Sequence, residues 1–153
     1  MNAKGSWMTT TTDTLPVEIE INIAASQKTI FGFLTEPEKM TRWMGLMAEL
    51  DPRPGGVYKV ATRNGSTALG SYLEVRPFDR VVFSFGWDEP DAYVPPGSST
   101  VEITLTPQNG GTLVKLVHRD LGKLTLDSHR EGWTHYLGRL AIAVTGGDPG
   151  PDA

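Results

Sequence analysis

Leu126-Asp127-Ser128-His129-Arg130-Glu131-Gly132-Trp133-Thr134-His135-Tyr136-Leu137-Gly138-Arg139-Leu140-Ala141-Ile142-Ala143-Val144 is the stretch that decides how the chain folds. Leu126, His129, Trp133, Leu137, Leu140 and Val144 recur at steps of three or four, which draws one narrow apolar stripe along a helix beginning near Thr125. Asp127, Glu131, His135 and Arg139 fall on other faces, and the Glu131–His135 spacing reads as an exposed ion pair. Ile142 lies opposite the stripe, as a second contact surface. Gly146-Gly147 stops the helix, because glycine accepts the left-handed backbone of a C-terminal cap.

Upstream of this helix the hydrophobic period is two. Val17 to Ile23 alternates without a break, the pattern of a strand with one buried face. Ser26 is an N-cap for a short helix, Gln27 to Leu34. Thr35-Glu36-Pro37-Glu38 offers a capping box for a second short helix reaching Trp43. Asp51 to Gly56 is a turn by its prolines and glycines. Strands are then predicted at Val57 to Thr62, Ser71 to Arg76 (Leu73 and Val75 inward), Val81 to Trp87, Ser99 to Thr106 and Thr112 to His118, with an Asn109-Gly110 hairpin before the last. Alternation of this kind marks antiparallel strands, wet on one face. The helix should therefore lie across the buried face of the sheet.

The composition limits the functional classes. The chain has 153 residues, 39% hydrophobic and 21% charged, which fits one globular domain. No stretch approaches the roughly 18 apolar residues of a membrane span, and the N-terminus has no secretory pattern. The absence of cysteine excludes disulfides, a thiol nucleophile and Cys-ligated zinc, and makes the cytoplasm the default location. A net charge of −4 without a basic stripe argues against nucleic acid. Residues 1–14 and 146–153 read as disordered tails around a single domain at 15–145.

Several spaced segments resemble a known family. Ile23-Ala24-Ala25-Ser26, Phe31, Phe33 to Glu38, Trp43, the Asp51 to Gly56 turn with Tyr58, Gly70 to Pro77, Arg80 to Phe85, Ser99-Thr100-Val101, Gly111-Thr112-Leu113 and His129 to Trp133 are similar to the domains homologous to the activator of the heat-shock-protein-90 ATPase. That family lies within the START-like, or SRPBCC, superfamily, and the resemblance runs from about Val17 to Thr145. It implies an α+β helix-grip fold: a curved antiparallel sheet wrapped around a long C-terminal helix, with two short helices after the first strand. Members bind diverse hydrophobic ligands and a few are enzymes. The eukaryotic co-chaperone activators carry an additional N-terminal domain not found here, which weighs against direct stimulation of a chaperone ATPase.

The expected function is non-catalytic binding of a small, largely hydrophobic molecule between sheet and helix. The residues assigned to that cavity are Trp43, Met44, Met47, Tyr58, Phe83, Phe85, Trp87, His118, His129, Trp133, Tyr136 and Leu137. His118, His129 and Tyr136 would orient a polar group, and the loop Trp87 to Ser98 would cover the entrance. Arg63 and Arg76 read as surface residues, with neutralisation of an anionic head group as the alternative. The rival functions are a cyclase or hydrolase using His118 or His129 as general base, and a chaperone-associated interaction module; a homodimer is left open. No metal is expected, because His129 and His135 face different directions and His118 with His129 lacks a third ligand. There is no Gly-x-Ser-x-Gly elbow, which argues against a serine nucleophile, and no phosphate-binding glycine-rich loop; no cofactor is expected.

Overall fold

In a computed structural model, residues 16–62 and 65–150 are described. The expectation of a tail at residues 1–14 and the reading of Arg63 lie outside those residues. The element order is β1 (Val17–Ile23), α1 (Gln27–Thr35), α2 (Pro37–Met40), β2 (Met47–Leu50), β3 (Val57–Ala61), β4 (Thr67–Arg76), β5 (Arg80–Phe85), β6 (Ser99–Gln108), β7 (Gly111–Arg119), a 3-10 turn at Lys123–Thr125 and α3 (Leu126–Val144). The strands form one sheet in the order β1-β7-β6-β5-β4-β3-β2, antiparallel throughout. This is the expected α+β helix-grip architecture.

Local chemistry accounts for most boundaries. The Ser26 hydroxyl accepts from the Thr29 amide at 3.2 Å, which satisfies an orphan donor at the start of α1. The β6–β7 hairpin turns on Asn109 (φ 50°) and Gly110 (φ 80°), the two positive φ values that a type I′ turn requires. At the end of α3 the Gly147 amide reaches the Ile142 carbonyl and the Gly146 amide reaches that of Ala143, a Schellman motif with Gly146 at φ 93°.

Four expectations are corrected. The capping box does not form: Thr35 Oγ1 turns back to the Phe31 carbonyl at 2.9 Å, and α2 ends at Met40 rather than near Trp43. The edge strand β2 gave no sequence signal, since its four residues include no β-branched or aromatic side chain. A register shift between Tyr72 and Glu74 bends β4 and turns its pattern over, so Tyr72 is fully buried while Leu73 is 52% exposed. Gly70 sits inside the same strand because a Cβ there would lie 1.8 Å from the Ser84 carbonyl oxygen. Finally, Arg139 is buried: its Nε donates to the Trp43 carbonyl at 2.9 Å, and its other nitrogens donate to the carbonyls of Pro149 and Gly150. The helix thus buries two adjoining arcs, one on the sheet and one on the segment after α2. Ile142 faces solvent, 45% exposed.

The main core draws Tyr58, Val60, Tyr72, Phe83, Phe85, Val101, Ile103, Leu105, Val114 and Leu116 from the sheet against Trp133, Leu137 and Leu140 of α3. Tyr58 stacks on Phe83 with ring centroids 4.0 Å apart, and Tyr72 meets Tyr58 edge-on. The wet face carries a cross-strand charge row in which Arg80 joins Glu74 and Glu102, and Arg119 joins Glu102. Arg76 pairs with Glu74 at 2.6 Å on that face.

Candidate functional site

The aromatic stack closes the centre of the interior. A cleft of about 310 Å³ remains at one end. Ser128, His129, Gly132, Trp133 and Tyr136 of α3 form one wall, and Phe85, Trp87 and Glu89 form another. Thr62 and Ser66 of the β3–β4 turn and the buried Met44 complete it.

Of the residues assigned from sequence, Met44, Phe85, Trp87, His129, Trp133 and Tyr136 meet in this cleft. The others do not line it. Trp43 is buried with its indole N–H donating to the Phe33 carbonyl at 2.9 Å. Tyr58, Phe83 and Leu137 are spent in the core, where burial also pushes the Tyr58 hydroxyl far above its ordinary pKa. Met47 lies on the edge strand and is 71% exposed. Thr62, Ser66, Glu89, Ser128 and Gly132 were missed. They sit on a turn, a loop and the polar side of the helix, where no periodicity marks them.

His118 is the largest departure. Its inward orientation is as expected, but it lies beneath the cleft, fully buried, with both ring nitrogens engaged. The Trp133 indole, a donor only, gives its proton to His118 Nδ1 at 2.9 Å. The ring proton is therefore on Nε2, which donates to Ser99 Oγ at 2.8 Å, and the Ser99 hydroxyl donates to the Phe85 carbonyl at 2.7 Å. This chain of donors needs a neutral imidazole. Burial, with a smaller contribution from His129, lowers the His118 pKa to about 3.

His129 repeats the arrangement on the cleft wall. Its Nε2 accepts from the Trp87 indole at 3.1 Å, and its Nδ1 donates to the Thr125 carbonyl at 2.8 Å. Burial lowers its pKa, and the bond to Thr125 opposes that shift. The two imidazoles meet edge-to-face at 5.3 Å, each held by a tryptophan. Neither has a lone pair left for a substrate proton. His135 is exposed and sits against the Tyr136 ring rather than pairing with Glu131.

The loop after Trp87 is tied down. The Trp87 amide donates to the Val94 carbonyl at 2.7 Å, and Val94 is buried with Val17 and Leu121 in a satellite cluster. Gly86 allows the contact, since a Cβ there would lie 2.0 Å from the Pro95 carbonyl oxygen. Tyr93 points outward, 82% exposed, so the loop contributes Trp87 and Glu89 to the cleft but no aromatic cover from Tyr93. Among the described residues no cluster of three or more His, Asp or Glu side chains could hold a metal, and no helix is long and apolar enough to cross a membrane.

Known structures share this fold. The solution structure of an AHSA1-like protein from Rhizobium etli is similar at 47% identity with a TM-score of 0.72, covering 91% of this chain and 87% of that one. CalU16 from Micromonospora echinospora is similar at 25% identity and TM-score 0.69, over 86% of this chain and 76% of its own. The Aha1 dimer from Colwellia psychrerythraea, at 19% identity and TM-score 0.75, covers 87% of this chain and 98% of that one, and shows the fold alone. No curated protein matches the chain. The family described as Activator of Hsp90 ATPase homolog 1-like protein matches residues 24–145. With its helix-grip sheet and long C-terminal helix, the chain belongs to that family, within the START-like (SRPBCC) superfamily.

Proposed function

We propose that the domain at residues 15–145 binds a small, largely apolar molecule without covalent chemistry, in the cleft between α3 and the end of β5. The observation that carries this reading is the cleft wall itself: Phe85, Trp87, Trp133, Tyr136 and Met44 around about 310 Å³, at the lower end of the range for small-molecule sites. The histidines support binding over catalysis. A general base needs a lone pair within reach of the substrate, and His118 and His129 have both given theirs to indole N–H groups. A partner protein is not required by this reading, and the cysteine-free composition fits a cytoplasmic setting.

Gly132 supplies the test. It lines the cleft from the helix, and a Cβ added there meets nothing within 4 Å. Gly132→Leu should fill the space while removing a helix-interior glycine, which costs about 0.8–1 kcal/mol relative to alanine. Native mass spectrometry of the purified protein should find a co-purified small molecule that is absent from the variant. A set of neutral aromatic hydrocarbons should raise the melting temperature of the wild type only. Equal thermal shifts in both proteins would refute the assignment of the cleft.

A further inference from the structure

The polar groups around the cleft are unevenly spent. Thr62 Oγ1 donates to the Ser66 carbonyl at 2.8 Å, and Ser128 Oγ donates to the Thr125 carbonyl at 3.1 Å. The Trp87 and Trp133 indoles donate to His129 and His118, and His129 Nδ1 donates to Thr125. Ser66 Oγ points at the Glu89 carboxylate, 3.5 Å away. These side-chain protons are committed inside the protein. Among the described lining residues, what these groups leave towards an incoming molecule is the complement: hydroxyl lone pairs, aromatic faces and one carboxylate, beside the Tyr136 hydroxyl. Glu89 is exposed at the rim, and among the described residues lining the cleft it is the one charged group.

A carboxylate or phosphate entering such a cleft would find no cationic side chain among the described lining residues and would meet a like charge at Glu89, so its lost hydration would be poorly replaced. An ammonium group would find the opposite. Its charge is attracted to ring faces, its N–H or polarised C–H groups match the free lone pairs, and Glu89 supplies a counter-charge at the mouth. Resting on the ligand-binding reading above, we propose that the cleft selects a lipophilic amine or quaternary ammonium compound, with the apolar body against Phe85, Trp133 and Met44 and the cationic end towards Trp87, Tyr136 and Glu89. Glu89 is then the specificity-determining residue, and the two Trp–His pairs serve to keep N–H groups out of the ligand's way.

Three probes of one shape separate this from simple apolar binding: para-tert-butylbenzylamine, para-tert-butyltoluene and para-tert-butylbenzoate, titrated at neutral pH by tryptophan fluorescence and calorimetry. The amine should bind at least about fivefold tighter than the hydrocarbon, and the benzoate weakest. Glu89→Gln should weaken the amine about threefold and leave the hydrocarbon unchanged, with that difference shrinking as salt is raised. Gly132→Leu should abolish both. Equal affinity for amine and hydrocarbon, unaffected by Glu89→Gln, would overturn the charge selection while leaving the apolar site intact. Preferential binding of the benzoate would overturn it in favour of an anion site. Failure of every probe to bind, or binding indifferent to Gly132→Leu, would remove the cleft reading and this proposal together.

Discussion

The buried His118 sets a pH dependence that can be worked out in advance. In the unfolded chain its imidazole takes up a proton near the ordinary 6.5, whereas in the folded protein it resists protonation down to about 3. Between those values the unfolded state binds more protons, so stability is full above about pH 6.5 and falls as the pH drops towards 3. The slope approaches about 1.4 kcal/mol per pH unit, which integrates to roughly 2 kcal/mol between about pH 8 and pH 5 from this residue alone. His129, also lowered, adds in the same direction. Glu102, held below its ordinary 4.5 first by its hydrogen bond to Arg119 and then by Arg80, adds its own loss only as the pH falls past that value. The window above about pH 5 therefore isolates the histidines. Urea unfolding at steps of pH should show the decline in the wild type and a visibly flatter curve in His118→Gln, whatever that variant loses at neutral pH. Nitrogen NMR of the wild type should show His118 as the Nε2–H tautomer throughout the window, a measurement that does not need the variant to fold. A native-state His118 titrating near 6.5, or a variant with the wild-type slope, would refute the donor chain from Trp133 to Phe85.

Other consequences are as direct. Trp133→Phe keeps the ring but leaves His118 Nδ1 without its donor, and should cost about 1–3 kcal/mol by denaturant unfolding. It should also raise the His118 pKa measured by NMR, since protonation no longer opposes an N–H. Arg139→Leu leaves the Trp43, Pro149 and Gly150 carbonyls without their shared donor, and should cost about 1.5–3 kcal/mol with faster hydrogen exchange in residues 146–150. Arg139→Lys should recover little of this, because an ammonium cannot span three carbonyls as the guanidinium fork does. Tyr72→Phe removes the hydroxyl bond to the Leu34 carbonyl and should cost about 0.5–1.5 kcal/mol without altering ligand binding, since Tyr72 lies outside the cleft.

The elements with a single clean period were legible from the chain alone. β1, β6 and β7 alternate without interruption, Ser26 and Asn109-Gly110 carry their own turn chemistry, and the α3 stripe ends on a glycine pair; each is a local code read within about ten residues. Half the cleft was legible for the same reason, because Phe85, Trp87, His129, Trp133 and Tyr136 lie on apolar or inward positions. The rest depended on contacts between distant segments. A one-residue bulge exchanged Tyr72 for Leu73, and no local pattern announces a bulge whose cause is the strand beside it. Arg139 looked like surface until the segment after α2 and the carbonyls of Pro149 and Gly150 closed over it.

The sequence by itself determined a sheet-and-helix body with aromatic residues and two histidines turned inward, because side-chain period and turn chemistry are properties of neighbours along the chain. Only the tertiary structure decided which of those aromatics fill space and which surround it, and that each imidazole lone pair is taken by an indole far away in sequence. Hydrogen-bond partners and residual volume are set by how finished elements meet, and residues far apart in the chain carry no mark of where they will meet.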